Sequence, residues 1–213
     1  RQRCDDLLAL LLSEAGSSPR LIDEAQQLGL KPQMTRVPYL FELGTEHGPG
    51  HTVEALSAWL MSRYPDSWCV SPAKSSLLWC RPASQSVEND RLLEKLDGLG
   101  WNILRIAVGG QADGLLGLRR CYRRVGDLLA YGREVLPQSR LLTLDRYRLP
   151  VMLWRHRNDD ALDELLNPLR QVIARDNNGQ LLATLRSWCE HDGQSQACAD
   201  ALGIHRNSLR YRM

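Results

Sequence analysis

With 213 residues, 43% of them hydrophobic, the chain can bury a sizeable core and form one medium domain plus a small one. Its formal net charge of +2 is too weak for nucleic-acid binding through overall basicity, so any such affinity must come from local patches. No stretch approaches the roughly 18 uninterrupted apolar residues of a membrane helix, and the N-terminus lacks a signal-peptide apolar region with a cleavage site, so nothing suggests membrane insertion or export.

In chain order, CDDLLALLLSEAG and SPRLIDEAQQLGL read as two short helices, the second opened by Ser17 or Ser18 and Pro19. VPYLFEL, from Val37 to Leu43, reads as a strand. Pro38 has no N–H for a ladder bond, so it is expected at the start of that strand or on a sheet edge. TVEALSAWLMSRY is an amphipathic helix with Val53, Leu56, Trp59 and Leu60 on one side. SWCV and SSLLWC, joined through Ser71 to Ser76, form a hairpin whose aromatic and aliphatic residues suit strands. VENDRLLEKLDGLG is a helix stopped by Gly100. NILRIAVGG follows as a strand with Leu104, Ile106 and Val108 on one face, and its glycines, Gly109 and Gly110, mark a strand-to-helix turn. LLGLRRCYRRVGDLLAYGREV is the longest helix, with Leu118, Cys121, Val125 and Leu128 inward. The cluster Arg119, Arg120, Arg123 and Arg124 lies opposite that stripe, either as a solvated face or as a site for an anion or acidic partner. SRLLTLDRY supplies a last short strand, and helical segments run on from Leu149. Strands alternating with helices around one hairpin predict an α+β sandwich, a central sheet with helices packed on it.

The last 33 residues, Leu181 to Met213, change character: helix, turn, small-residue helix, Gly turn, arginine-bearing helix. Ala197, Cys198, Ala199 and Ala201 let a short helix sit close to a neighbour, and Gly203 supplies the positive φ that ends it. Beyond the turn, Ile204, Leu209 and Met213 place an apolar stripe on one side of the next helix, while Arg206, Asn207 and Arg210 fall on the other. No acidic residue stands between Ala201 and Met213, so three arginines present an uncompensated positive surface suited to phosphates and guanine edges. That is the layout of a DNA-reading helix-turn-helix, with double-stranded DNA as the expected partner. The six cysteines (Cys4, Cys69, Cys80, Cys121, Cys189, Cys198) include no C-x-x-C pair, which points to reduced, mostly buried thiols in a cytoplasmic protein. Cys189, His191, Cys198 and His205 are metal-capable, but their spacings of two, seven and seven match no zinc pattern, and no metal is expected.

HRNSLRYR, preceded by ADALGI and by LLATLRSWCEHDG, resembles the C-terminal helix-turn-helix of the PucR-type purine-catabolism and sugar diacid regulators of bacteria. RDNNGQLLATL, from Arg175 to Leu185, is more similar to the sugar diacid regulators than to their purine relatives. The resemblance implies an upstream fold similar to the degenerate nucleotide-cyclase-like, or GGDEF-like, domain. On that pattern residues 1–32 are N-terminal helices linking from a sensor domain, 33–146 the GGDEF-like α+β domain, 147–178 a helical bridge, and 179–213 the helix-turn-helix. The chain opens at Arg1 without an initiator methionine and stops at Met213, where the family continues with further helices, so a fragment with a truncated DNA-binding module is expected. The implied function is activation of genes for uptake and breakdown of sugar diacids (glucarate, galactarate) and glycerate, by a homodimer whose effector binds a domain preceding this chain. His205, Arg206, Asn207, Ser208, Arg210, Tyr211 and Arg212 are the expected DNA-contacting residues, with Ser208 and Arg212 on the backbone.

Catalysis is not expected. Active diguanylate cyclases place a Gly-Gly-acidic-Glu-Phe signature on the central hairpin, where carboxylates hold the metals that orient a triphosphate. Here the tip is Ser71, Pro72, Ala73, Lys74, Ser75 and Ser76, without carboxylate or glycine pair. Gly109, Gly110 and Gly114 lack the Lys and hydroxyl of a P-loop, and His47 and His51 sit in a loop, EHGPGH, so no cofactor is expected. Trp59, Trp68 and Trp79 read as packing residues rather than a ligand cage. The alternatives are a non-catalytic dimerisation or nucleotide-binding module, or a regulator of another pathway such as purine use.

Overall fold

The computed structural model describes residues 33–44 and 51–213, with Asp23, Gln26, Gln27 and Lys31 before them. Apart from Asp23, Gln26 and Gln27, which are helical, the two expected N-terminal helices lie outside the described residues, as do Cys4 and His47. The chain divides into two compact units, Arg1–Arg155 and His156–Met213.

The first unit is built on β1 (Arg36–Leu43), β2 (Trp68–Ala73), β3 (Ser76–Pro82), β4 (Ile103–Val108) and β5 (Leu141–Thr143), in the spatial order β2-β3-β1-β4-β5. β4 and β5 are parallel; the other neighbours are antiparallel. Central β1 is buried on both faces, as the nearly unbroken apolar run VPYLFEL demands. Val37, Tyr39, Phe41 and Leu43 point into one core with Trp79, Ile103 and Ile106, completed by α1 (Val53–Arg63) and α2 (Asn89–Gly98). Leu40, Leu78 and Ala107 point into the other, beneath α3 (Gly114–Val135) and α4 (Leu144–Arg155). The architecture is the expected α+β sandwich.

The helices carry the expected inward residues. Val53, Leu56 and Leu60 of α1 and Leu118, Cys121, Val125 and Leu128 of α3 are buried, whereas Trp59 is half-buried. Thr52 caps α1, its hydroxyl accepting from the Ala55 N–H, and Gly100 follows α2 at φ 85°, a left-handed value that favours glycine. Trp68 and Trp79 are core residues, and Trp68 also carries the guanidinium of Arg36 3.5 Å above its ring. Arg36 donates to the carbonyls of Asp66 and Cys80, and its burial lowers its pKa to about 10.

Three expectations are corrected. Pro38 sits inside the central strand, not at a start or edge. Its missing N–H faces the β4 side, where the regular β1–β4 pairing stops at Tyr39 and Val108, and the Pro38 carbonyl accepts from the Gly109 N–H. Leu104 is 43% exposed rather than inward. The register passes from Glu42↔Arg105 to Leu43↔Ile103, so Leu104 is the extra residue of a β-bulge, and Ile103 takes the buried place that strict alternation assigns to Leu104. Finally, the last strand is only Leu141–Thr143, and Leu144–Tyr147 open α4 instead of extending it.

Candidate nucleic-acid interface

The second unit contains α5 (Asp160–Arg175), α6 (Gln180–Glu190), α7 (Ser195–Ala201) and α8 (Arg206–Arg212). The start of α6 is capped from outside: the Asp176 carboxylate accepts from the N–H groups of Leu181 at 3.0 Å and Leu182 at 2.9 Å. These bonds hold the Asp176 carboxyl below its ordinary value. The chain leaves α6 through Asp192 and Gly193, both at positive φ, with the Gly193 N–H bonded to the Trp188 carbonyl at 2.9 Å.

The turn between α7 and α8 follows the residues that predicted it. Gly203 stands at φ 62°, and the Ile204 N–H closes back to the Ala199 carbonyl at 3.0 Å. His205 then caps α8, its Nδ1 accepting from the Asn207 N–H at 3.3 Å. Cys198 and Ala199 are fully buried and Leu209 is 2% exposed; with Trp188, Leu202 and Ile204 they form the small core of the three helices. Small side chains on α7 allow this close approach, and Leu209 anchors α8 in it. Met213, expected on the same stripe, is 55% exposed.

Fixing Leu209 inward turns the opposite side of α8 to solvent. His205, Arg206, Asn207, Ser208, Arg210 and Tyr211 are exposed, and Arg212 is half-buried. Arg206, Asn207 and Arg210 share a concavity of about 370 Å³ with Trp188, Ser195, Met213 and the edge of Leu209. Ser208, Tyr211 and Arg212 lie outside its lining, and Tyr211 is 93% exposed. Arg206, Arg210 and Arg212 have no carboxylate partner among the described residues, leaving their charge free for an external anion. Ser195 and Trp188 are absent from the sequence-predicted set. Ser195 is the first residue of α7, after the N-cap Gln194, and its residue type alone does not single it out in the sequence. Of the metal-capable residues, Cys198 is buried in the core, Cys189 is exposed, His191 Nδ1 lies 2.8 Å from the Ser187 carbonyl, and His205 serves the cap.

The hairpin of the first unit is the other place where the fold could carry chemistry. Ala73 pairs with Ser76 around a Lys74–Ser75 turn, and the Ser71 hydroxyl lies 2.9 Å from the Ala73 carbonyl and 3.1 Å from that of Ser76. The tip is closed by its own hydroxyl and bears no carboxylate.

A sandwich sheet with a non-acidic hairpin, joined in sequence to a three-helix module bearing a basic exposed helix, defines a helix-turn-helix protein with a GGDEF-like domain. The GGDEF-like domain family matches residues 13–131, and the PucR C-terminal helix-turn-helix domain family matches residues 181–213. The chain belongs to the GGDEF-like domain family, and its last 33 residues match the PucR C-terminal helix-turn-helix. It is 27% identical to the carbohydrate diacid regulator of Escherichia coli over 98% of its own length, and it spans 58% of that protein. An uncharacterized protein of Haemophilus influenzae is 31% identical over 40% of this chain and 23% of its own. Among solved structures, a regulator of polyketide synthase expression from Bifidobacterium adolescentis superposes with a TM-score of 0.57 at 15% identity, covering 99% of this chain and 82% of that one, a likeness of fold.

Proposed function

We propose that this chain is the GGDEF-like and DNA-binding part of a cytoplasmic transcriptional activator that controls genes for sugar diacid uptake and catabolism. One observation carries the reading: Leu209 is locked into the core while Arg206, Asn207 and Arg210 face outward together with no carboxylate among them. Arg and Asn make bidentate contacts to guanine and adenine edges in the major groove, each contributing roughly 1–3 kcal/mol of base discrimination. In this reading Ser208, Tyr211 and Arg212 contact the DNA backbone, and the exposed Ser195 at the start of α7 adds a phosphate contact. Two copies place two recognition helices in successive major grooves about 34 Å apart. A diacid effector, bound through a further domain, reorients the pair.

The first unit serves as a non-catalytic module. Its hairpin has no carboxylate with which to hold the metals of nucleotide cyclisation. The similarity to the Escherichia coli regulator over nearly the whole chain favours a diacid pathway over purine use.

The test is transcription from a diacid-uptake promoter in cells lacking the endogenous regulator and expressing the full-length protein. Glucarate or galactarate is expected to raise expression, and the Arg206→Ala, Arg210→Ala double variant is expected to abolish the rise. Induction by purine catabolites alone, or an unchanged rise in the variant, contradicts the assignment.

A further inference from the structure

The first unit carries an arginine-lined cavity that neither the hairpin nor the helix-turn-helix uses. β4 runs antiparallel to β1, so its end at Val108 lies beside Tyr39, whereas the hairpin turn meets Leu43 through the Leu43 N–H and the Ser75 carbonyl. The segment after β4, the first half of α3 and the first turn of α4 thus enclose a space at the opposite end of the sheet from the hairpin tip. Its volume is about 470 Å³, within the usual range for small-molecule sites, and its walls include Gly110, Arg120, Arg124 and Arg148. Arg124, Leu144 and Arg148 also border an adjoining cavity of about 270 Å³ whose wall continues into Val151 and Met152.

The charges within these walls are unevenly matched. Asp127 is engaged by Arg155 at 2.9 Å, and Asp113 accepts the Thr35 hydroxyl at 2.7 Å. Asp145 faces Arg148 at 3.3 Å, but both side chains are mostly exposed, so the pair holds weakly. Arg120 and Arg124, one turn apart on α3, have no hydrogen-bond or ion-pair partner among the described residues. Like charges at this spacing repel, an arrangement relieved by an anion between them. Gly110 opens the site further: a Cβ there would meet nothing within 4 Å, and the Cys121 thiol, donating to the Gly110 carbonyl at 3.4 Å, pins the loop in place.

We propose that this cavity binds a small oxyanion carrying at least two negative charges. Arg120 and Arg124 grip it bidentately, Arg148 turns to it from Asp145, and any apolar body of the ligand lies along Leu144, Val151 and Met152. Phosphate and carboxylate groups share this chemistry, and the test separates them.

Calorimetric titration of the chain with pyrophosphate and, separately, with tartrate at constant ionic strength is expected to show one equivalent of at least one probe bound. The stronger of the two identifies the anion type. The Arg120→Gln, Arg124→Gln double variant is expected to bind at least about tenfold more weakly. The Arg206→Ala, Arg210→Ala variant on α8 keeps full affinity, which separates this site from the DNA-facing arginines and leaves the inference independent of the DNA reading. Should the double variant fold poorly by circular dichroism, Arg124→Lys keeps the charge, removes the fork, and is still expected to weaken binding. Absence of binding by either probe, undiminished binding in the α3 variants, or a loss confined to the α8 variant overturns the proposal.

Discussion

Leu209 and Tyr211 are two positions apart on the same short helix and differ in almost everything that matters energetically. Leu209 is 2% exposed among Cys198, Ala199 and Trp188, while Tyr211 is 93% exposed. Leu209→Ala is therefore expected to destabilise the second unit by about 2–4 kcal/mol, because so small a core cannot collapse around the lost volume. Tyr211→Ala is expected to change stability by less than about 0.5 kcal/mol. Urea unfolding followed by amide signals of α6 to α8 measures both. In the first unit, Gly109 is equally constrained. A Cβ at that position would lie 2.7 Å from Cys121 Sγ and 2.7 Å from Pro38 Cγ. Gly109→Ala is expected to cost about 1–3 kcal/mol in the same kind of unfolding experiment. This contact also explains why Pro38 is tolerated in a central strand: a residue without a side chain passes beside its ring just as β4 ends.

Among the elements, α6 depends on a residue outside itself. The Asp176 carboxylate binds two N–H groups of the first turn, and those bonds depress its pKa. A depressed carboxylate contributes stability that is present above its unfolded value, about 3.9, and lost as pH falls through the folded value. Amide exchange at Leu181 and Leu182 is therefore expected to accelerate as the pH drops below that range. In Asp176→Ala it is expected to be fast already at neutral pH, with no acid step of its own. Periodicity made most elements legible. The α3 stripe of Leu118, Cys121, Val125 and Leu128, the α1 face and the Gly203 turn follow from residue types and spacing alone. What escaped were features set by neighbours. A one-residue bulge exchanges Leu104 for Ile103, and nothing in NILRIAVGG records the extra residue because Ile, Leu and Ile are apolar alike. The length of β5 is decided by how far β4 accompanies it, and three residues pair before the chain turns helical. On α8, the outward set followed from spacing, while Ser195 and Trp188 reached the same concavity through the turns at Gly193 and Gly203, which bring distant residues together.

At the scale of the whole molecule, the two units divide the work by charge and shape. The first has an α+β sheet whose hairpin tip, Ser71 to Ser76, bears no carboxylate. The second places three arginines on a short helix in a chain whose net charge is only +2, so its attraction for DNA is local. The account stands or falls on α8. The direct measurement is fluorescence anisotropy of a duplex from a diacid-responsive promoter, titrated with the chain and with its Arg206→Ala, Arg210→Ala variant across a range of salt concentrations. The account predicts binding that weakens with salt and, in the variant, an affinity at least about tenfold lower with the preference for this duplex over an unrelated one reduced. Equal affinity and equal preference for the two proteins would contradict it.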